Sequence, residues 1–166
     1  MSAPELDLSG LRLLVKPSEG ALGGAVSRLG ASRGAELTRT APADLLVCLP
    51  SAAASVSPLE ISDVQWAAAL DAGAMRVFRA CREAAPAMAE GGRGAIVVVV
   101  QPDRLGTDEA LLGLMRALAR ELAVHGVRVN AVRAEHPDPV RVAELALFLL
   151  SDAASYVTGT TLRPPA

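Results

Sequence analysis

The residues whose types and spacing could do chemistry lie mainly in two short stretches. A glycine-rich turn, Ser18 to Gly24, directly follows an apolar run, and glycines there can let a backbone approach a phosphate group. Further along, His136 lies beside Glu135 and Asp138. One histidine with two flexible carboxylates is more often a solvated turn than a metal centre, so we expect no metal site. His125 ends a predicted helix, where the helix dipole favours a cation, and we interpret it as a capping residue.

Charged and thiol side chains provide two further candidates. A patch of mixed charge is interpreted as a solvated helix start; it consists of Asp103, Arg104, Asp108 and Glu109. Cys48 and Cys81 are far apart in apolar surroundings and lack the Cys-x-x-Cys spacing of zinc and redox sites. Because cytosolic chains keep such thiols reduced, we predict two buried free cysteines.

Composition limits the class of protein. The chain has 166 residues, and residues 1–166 are expected to form a single domain. Hydrophobic residues make up 51% and aromatics only 2%, so the core must be aliphatic. The net charge is -2 with no basic run, which argues against nucleic-acid binding. Residues 1–9 do not resemble a signal peptide, and the apolar runs are too short for a membrane span, so we expect a cytoplasmic location.

Strand and helix patterns alternate along the chain. The clearest strand is Ala95–Val100, because a run of β-branched residues suits a strand buried on both faces. The other predicted strands are Leu11–Val15, Asp44–Leu49, Val127–Val132 and Thr160–Arg163, and the predicted helices start near Ala25 and cover about Ile61–Met88, Asp108–His125 and Val140–Leu150. This alternation predicts a shortened, doubly wound α/β fold with a parallel, Rossmann-like sheet.

The predicted helix from Asp108 to His125, capped by Thr107, is apolar around most of its circumference. One stripe should face the sheet: Leu111, Leu114, Met115, Leu118 and Leu122. The remaining surface still has little polarity, so a second cover is expected, and another subunit could supply it. The alternative is that small alanines are tolerated on a solvated face. The candidate interface residues are Leu112, Gly113, Arg116, Ala117 and Arg120.

Three long segments carry a resemblance to a known family. ALLGLMRALARELAVHGVRVNAV, residues 110–132, resembles the long interface helix and following strand of the short-chain dehydrogenase/reductase family. ELALFLLSDAASYVTGTTL, residues 144–162, resembles its C-terminal segment, and residues 70–100 resemble the helix and strand before its active site. The resemblance, from Trp66 to Leu162, implies the fold predicted above, a dinucleotide loop and a catalytic Asn-Ser-Tyr-Lys set.

The residues at the matching functional positions differ from the family pattern. Aligned on Val15, the loop T-G-x-x-x-G-x-G falls on Lys16, Pro17, Ala21 and Gly23. Pro17 lacks a backbone donor and Ala21 adds a methyl group, so we expect no bound cofactor. The remnant of the loop consists of Gly20, Gly23 and Gly24.

The catalytic set is also replaced. Its Asn falls on Gly73, its Ser near Gln101, its Tyr on Arg104 and its Lys on Asp108. An arginine cannot give up a proton near neutral pH, and an aspartate reverses the charge of the lysine, so we expect no catalytic residues at these positions. Between Gly34 and Asp44 there is room for one short strand at most, so the residue that reads the adenosine ribose is expected to be missing.

These substitutions lead to an expectation about function. The chain is expected to be no enzyme by itself, but a non-catalytic subunit that assembles with an active, homologous dehydrogenase or reductase, or with itself as a homodimer. The alternative is a divergent oxidoreductase, or a protein that binds acyl-CoA or another small molecule in the remnant pocket.

Overall fold

A computed structural model describes residues 6–49, 56–102, 105–135 and 138–165. Their strands form one parallel sheet in the order β2-β1-β3-β4-β5-β6. The strands are β1 (Arg12–Lys16), β2 (Glu36–Thr38), β3 (Leu45–Cys48), β4 (Gly94–Val100), β5 (Val127–Arg133) and β6 (Thr161–Leu162). The chain extends from β1 towards both edges, so the predicted doubly wound, Rossmann-like sheet is confirmed.

Helices cover both faces of the sheet. They are α1 (Gly20–Ser32), α2 (Asp63–Leu70), α3 (Arg76–Glu90), α4 (Thr107–Ala123) and α5 (Pro139–Leu150). α1 and α5 contribute to the buried cluster on one face, and α3 and α4 to the cluster on the other. Within the described ranges, no helix has the length and apolarity needed to cross a membrane.

The continuous β-branched run of the sequence forms strand β4, which is buried on both faces of the sheet. Ile96 and Val98 belong to the cluster under α3 and α4, whereas Val97 and Val99 belong to the cluster under α1 and α5. Successive side chains of a strand point to opposite faces, and here both faces are covered. The strand predicted for Ala95–Val100 is therefore confirmed, and it lies at the centre of both cores.

The long helix predicted for about Ile61–Met88 is interrupted in the structure. It begins with a capping box, in which the Gln65 N–H donates to the Ser62 hydroxyl at 3.3 Å and the Ser62 N–H donates to Gln65 Oε1 at 3.0 Å. A π-helical segment, Asp71–Met75, then joins α2 to α3. None of the residues of α2 is buried, so this helix projects from the fold without a packed face.

Helix α4 differs from its prediction in its cap and in its buried side. The cap predicted at Thr107 is wrong, because Gly106 precedes the helix with a φ of +75° and Thr107 is buried inside it. Leu112 is only 3% exposed and lies in the core, whereas Leu114 and Leu118 are only partly buried beside it. The predicted apolar stripe is thus rotated around the helix. Leu112 was wrongly predicted as an interface residue, because the core of its own chain encloses its side chain.

Candidate functional site

The glycine-rich turn between β1 and α1 lies at the carboxyl edge of the sheet. Gly20 has a φ of +82°, and a Cβ built on it would meet no described atom within 4 Å. A Cβ on Gly23 would lie 2.6 Å from the Ser18 carbonyl oxygen and 2.8 Å from that of Pro17. A Cβ on Gly24 would approach only a flexible side chain. The turn itself therefore requires the first two glycines, for its backbone angle and for its close packing.

The family resemblance implies a dinucleotide at this turn, and a pyrophosphate there needs free backbone N–H groups. Pro17 has no N–H, and the carbonyl oxygens of Pro17 and Ser18 lie against the first turn of α1 at Gly23. Glu19, the residue that precedes α1, adds a carboxylate where the helix dipole would otherwise attract an anion. These residues do not fit the dinucleotide pyrophosphate. The absence of a bound cofactor stays a prediction.

Strand β2 lies in the short segment between Gly34 and Asp44, on which the prediction of no bound cofactor partly rests. The short strand for which the sequence leaves room is present, because β2 pairs in parallel with β1 and places Leu37 opposite Leu13. Arg39 follows the last residue of β2, and the loss of a residue that reads the adenosine ribose stays a prediction. Sequence reasoning missed Arg39 because a strand of three residues shows too little alternation to be recognised.

The positions matched to the catalytic set differ in burial and lie in different elements of the fold. Gly73 is buried within the π-helical segment, and Gln101 is exposed just after β4. Asp108 is buried in the first turn of α4. Arg104 lies outside the described residues. The loss of the catalytic residues at these positions stays a prediction.

Asp108 belongs to a cluster of charges around Arg133, the last residue of β5. Arg133 Nη2 is 3.5 Å from Asp108 Oδ2 and forms a close ion pair with Glu109, and Arg133 Nη1 is 3.8 Å from Glu135 Oε1. The side chains of Arg133 and Asp108 are only 14% and 7% exposed. The interpretation as a solvated helix start is therefore wrong for Asp108. Sequence reasoning missed its partner, because only the packing of α4 on β5 brings the two residues together.

The two cysteines are free and buried, as predicted. The hydrogen bond with Cys81, together with burial, raises the pKa of the Cys48 thiol well above its usual range. Since the thiolate is the reactive form, this pair suits a packed core better than a reaction. His125 is exposed after α4, and His136 lies outside the described residues. In the described part of the chain, no three His, Cys, Asp or Glu side chains are grouped as metal ligands would be.

Helix α4 presents surface on two sides. The remaining predicted interface residues are exposed; they are Gly113, Arg116, Ala117 and Arg120. On the other side, a groove with a volume of about 350 Å³ runs between α3 and α4. Its apolar lining includes Phe78, Ala85 and Leu118, and Arg82 and Glu121 stand within it as a cation and an anion. We call this feature the α3–α4 groove.

Comparison with known proteins identifies the family. The family model described as enoyl-(acyl carrier protein) reductase matches residues 37–137. The (2S)-[(R)-hydroxy(phenyl)methyl]succinyl-CoA dehydrogenase subunit BbsC of Thauera aromatica is 34% identical over 72% of this chain and 60% of its own length. Galactitol 2-dehydrogenase (L-tagatose-forming) of Cereibacter sphaeroides is 33% identical over 77% of this chain and 66% of its own length.

The solved structures agree with this match at the level of the fold. A short-chain type dehydrogenase/reductase from Mycobacterium marinum superposes with a TM-score of 0.82 at 20% identity, covering 96% of this chain and 95% of that chain. The chain belongs to the short-chain dehydrogenase/reductase family. It spans less than two thirds of the length of the curated relatives described above.

One expectation from the sequence is overturned by these relatives. The expectation that the chain is no enzyme by itself is wrong, because the proteins it matches are named dehydrogenases, and they point to an oxidoreductase. The departures at Gly73, Gln101 and Asp108 make this chain a divergent member of the family.

Proposed function

We propose that this chain is a divergent oxidoreductase that works as one subunit of a dehydrogenase or reductase, paired with a homologous subunit or with a second copy of itself. The observation that carries the proposal is an uncovered apolar surface formed by α2, α3 and α4, on a family scaffold whose parallel sheet is complete around β1, β3, β4 and β5. Monomeric proteins rarely leave a contiguous apolar surface of this kind open.

Helix α2 supplies the first part of this surface. It has no buried residue although most of its side chains are apolar; Val64, for example, is 80% exposed. Most of the stability of a helix in a protein comes from packing of an apolar face, and α2 has no buried residue, so α2 gains stability from a covering partner. Met75 and Phe78, which follow along the same run of helix, are also exposed, at 41% and 36%.

The α3–α4 groove supplies the second part. Its apolar lining can take up side chains of a facing helix, and Arg82 and Glu121 offer one charge of each sign. Such a surface is suited to a similar subunit. If the partner has the same groove, its Glu can face Arg82 and its Arg can face Glu121. The relative from Thauera aromatica is named a dehydrogenase subunit, which supports a role within a larger enzyme.

Co-expression tests the proposal. The chain is produced alone and together with a family member from the same genome that has a complete Asn-Ser-Tyr-Lys set, and light scattering gives the mass of each product. Phe78→Glu places a charge in the α3–α4 groove, and Ala117→Glu places one on the other exposed side of α4. Each variant should weaken assembly at least about tenfold if a partner covers that side of α4. Arg141→Glu is the matched control and should assemble normally, because Arg141 is an exposed residue of α5 on the opposite face of the sheet.

Two results would contradict the proposal. A chain that stays monomeric both alone and with the homologue would overturn the subunit arrangement, as would normal assembly of both glutamate variants. For the oxidoreductase function, nicotinamide-dependent turnover of hydroxy- and oxoacyl thioesters is compared between the partner alone and the assembly. Equal turnover of the two would refute a contribution of this chain to the reaction.

A further inference from the structure

A cavity with a volume of about 430 Å³ lies at the amino edge of the sheet, where β3, β4 and β5 begin. Its apolar lining includes Leu11, Leu45 and Leu150. Four charged side chains also line it; they are Asp44, Arg93, Arg128 and Asp152. We call this feature the amino-edge cavity. Its volume is within the range of small-molecule sites in proteins.

Two cations line this cavity from the same face of the sheet. Arg128 of β5 lies opposite Ala95 of β4, and Ala95 belongs to the buried cluster under α1 and α5. Because side chains alternate along a strand, Arg93, two residues before Ala95, projects from that face as well. The amino-edge cavity therefore has two guanidinium groups on its α5 side.

Arg128 is half-buried and, among the described residues, bonds only to main-chain carbonyl groups at the end of α5. Its Nη1 donates to the Leu149 carbonyl at 2.5 Å, and its Nη2 donates to the Leu150 and Ser151 carbonyls at 2.9 and 3.1 Å. Burial lowers the pKa of the Arg128 guanidinium, and Asp152 opposes this shift from beyond ion-pair distance. The Nε–H of Arg128 has no acceptor in the same ranges, so it is available to an anion from outside the chain.

The other polar groups of the lining differ in whether they are already engaged. The Asp44 carboxylate accepts hydrogen bonds from the Arg12 main-chain N–H and from Arg12 Nε, at 2.9 and 3.0 Å. Arg93 is exposed and forms no ion pair with any residue that the structure describes. The exposed Ser155 hydroxyl likewise has no hydrogen bond within the described part of the chain. Arg93, Arg128 and Ser155 are therefore the donors that a ligand can use.

We propose that the amino-edge cavity binds a small organic monocarboxylate. The carboxylate is bound by Arg93 and by the Nε–H of Arg128, and the Ser155 hydroxyl donates to the same group. Arginine is suited to this role because its planar guanidinium matches a carboxylate in geometry and charge. The short apolar body of the ligand lies along Leu11 and Leu150.

Other ligands match the amino-edge cavity less well. A phosphate monoester carries about two negative charges near neutral pH and would be repelled by Asp44 and Asp152. A metal cation would be repelled by the two guanidinium groups. Arg12 neutralises Asp44, and Asp152 lies near Arg128. Arg93 is left uncompensated, so a single negative charge matches the lining best.

A nuclear magnetic resonance titration of the isotope-labelled chain tests the inference. The probes are hexanoate, the neutral hexanamide, acetate and inorganic phosphate. We expect saturable shifts of the Gly94 and Gly126 amide signals with hexanoate, because both glycines line the cavity. Hexanamide lacks the charge and acetate lacks the apolar body, so each should bind at least about tenfold more weakly. The amide signals of Gly20 and Gly23, at the carboxyl edge of the sheet, should not move.

Two variants of exposed residues should weaken the binding of hexanoate. Arg93→Gln removes the uncompensated cation, and Ser155→Glu adds a repelling carboxylate, so each should lower the affinity at least about fivefold. The matched control is Arg28→Gln, which removes an exposed cation of α1 that does not line the cavity. It should bind hexanoate as the unaltered chain does.

Several results would overturn the inference. They are the absence of a saturable shift with millimolar hexanoate, equal affinity for hexanamide, and tighter binding of phosphate than of hexanoate. Shifts centred on Gly20 and Gly23, or an equal loss of affinity in Arg28→Gln, would overturn it as well. The titration needs neither assembly nor turnover, so its outcome is independent of the proposed oxidoreductase function.

Discussion

Replacing Arg133 by methionine should destabilise the fold by an amount that depends on the burial of Asp108. The methionine keeps most of the volume and removes the charge, which leaves the Asp108 carboxylate 7% exposed and without its ion-pair partner. Breaking a buried pair by removing one member costs about 3–5 kcal/mol. The 3.5 Å separation and the residual exposure of Arg133, 14%, place this pair at the lower end, at about 3 kcal/mol.

A loss of this size is readily measured. With a typical slope of about 2 kcal/mol per molar urea, the unfolding midpoint should fall by about 1.5 M. The matched control is Arg163→Met, because Arg163 also pairs with Glu135 but is 63% exposed, and its loss should cost less than about 0.5 kcal/mol. Adding Asp108→Leu to Arg133→Met should recover most of the loss, because no charge is then left buried alone.

Three outcomes would refute this reasoning. A loss below about 1 kcal/mol for Arg133→Met would mean that water reaches Asp108. Equal losses in Arg133→Met and Arg163→Met would mean that burial does not distinguish the two pairs. A double variant no more stable than Arg133→Met would mean that packing around the long side chain, and not the unpaired carboxylate, sets the cost.

Two further predictions follow from groups with a shifted pKa. The Arg12 guanidinium, 3.0 Å from Asp44, lowers the pKa of that carboxyl, so its contribution to the free energy of unfolding is present above the unfolded pKa of about 4 and is lost as the pH falls through the folded value. Urea titrations between neutral and acid pH should therefore show a smaller acid loss in Asp44→Asn than in the unaltered chain; parallel curves would contradict this. The burial of both cysteines, with the raised pKa of Cys48, predicts that neither Cys48 nor Cys81 reacts with a disulfide reagent at pH 8 until the chain is unfolded. Rapid labelling of the native protein would show that the pair is accessible.

The extent to which the sequence predicted the fold depended on the length of each element. The strand at Ala95–Val100 and the helix at Asp108–His125 were recognised because each has enough residues to establish a period. Strand β2, with three residues, has too few, so Arg39 at its end was missed. The π-helical segment Asp71–Met75 was also missed, because one extra residue in a long apolar helix hardly alters its composition.

The candidate site was predicted less completely than the fold, because it depends on contacts between distant segments. The glycine turn was located, since Gly20 and Gly23 are adjacent to a recognisable strand. The partner of Asp108 was not, because β5 brings Arg133 to the start of α4 only in the folded chain. Leu112 was assigned to the wrong side of α4, because an apolar circumference leaves the rotation of a helix undetermined in the sequence.

The π-helical segment Asp71–Met75 affects how the exposed surface of α2 can evolve. Each residue of an α-helix turns the chain by about 100°, so the extra residue sets the direction of α2 independently of the direction of α3. A deletion of one codon here would swing Val64 and its neighbours around the helix axis while leaving α3 seated on the sheet. One such event could change which proposed partner fits α2 while leaving the packed residues of α3 in place.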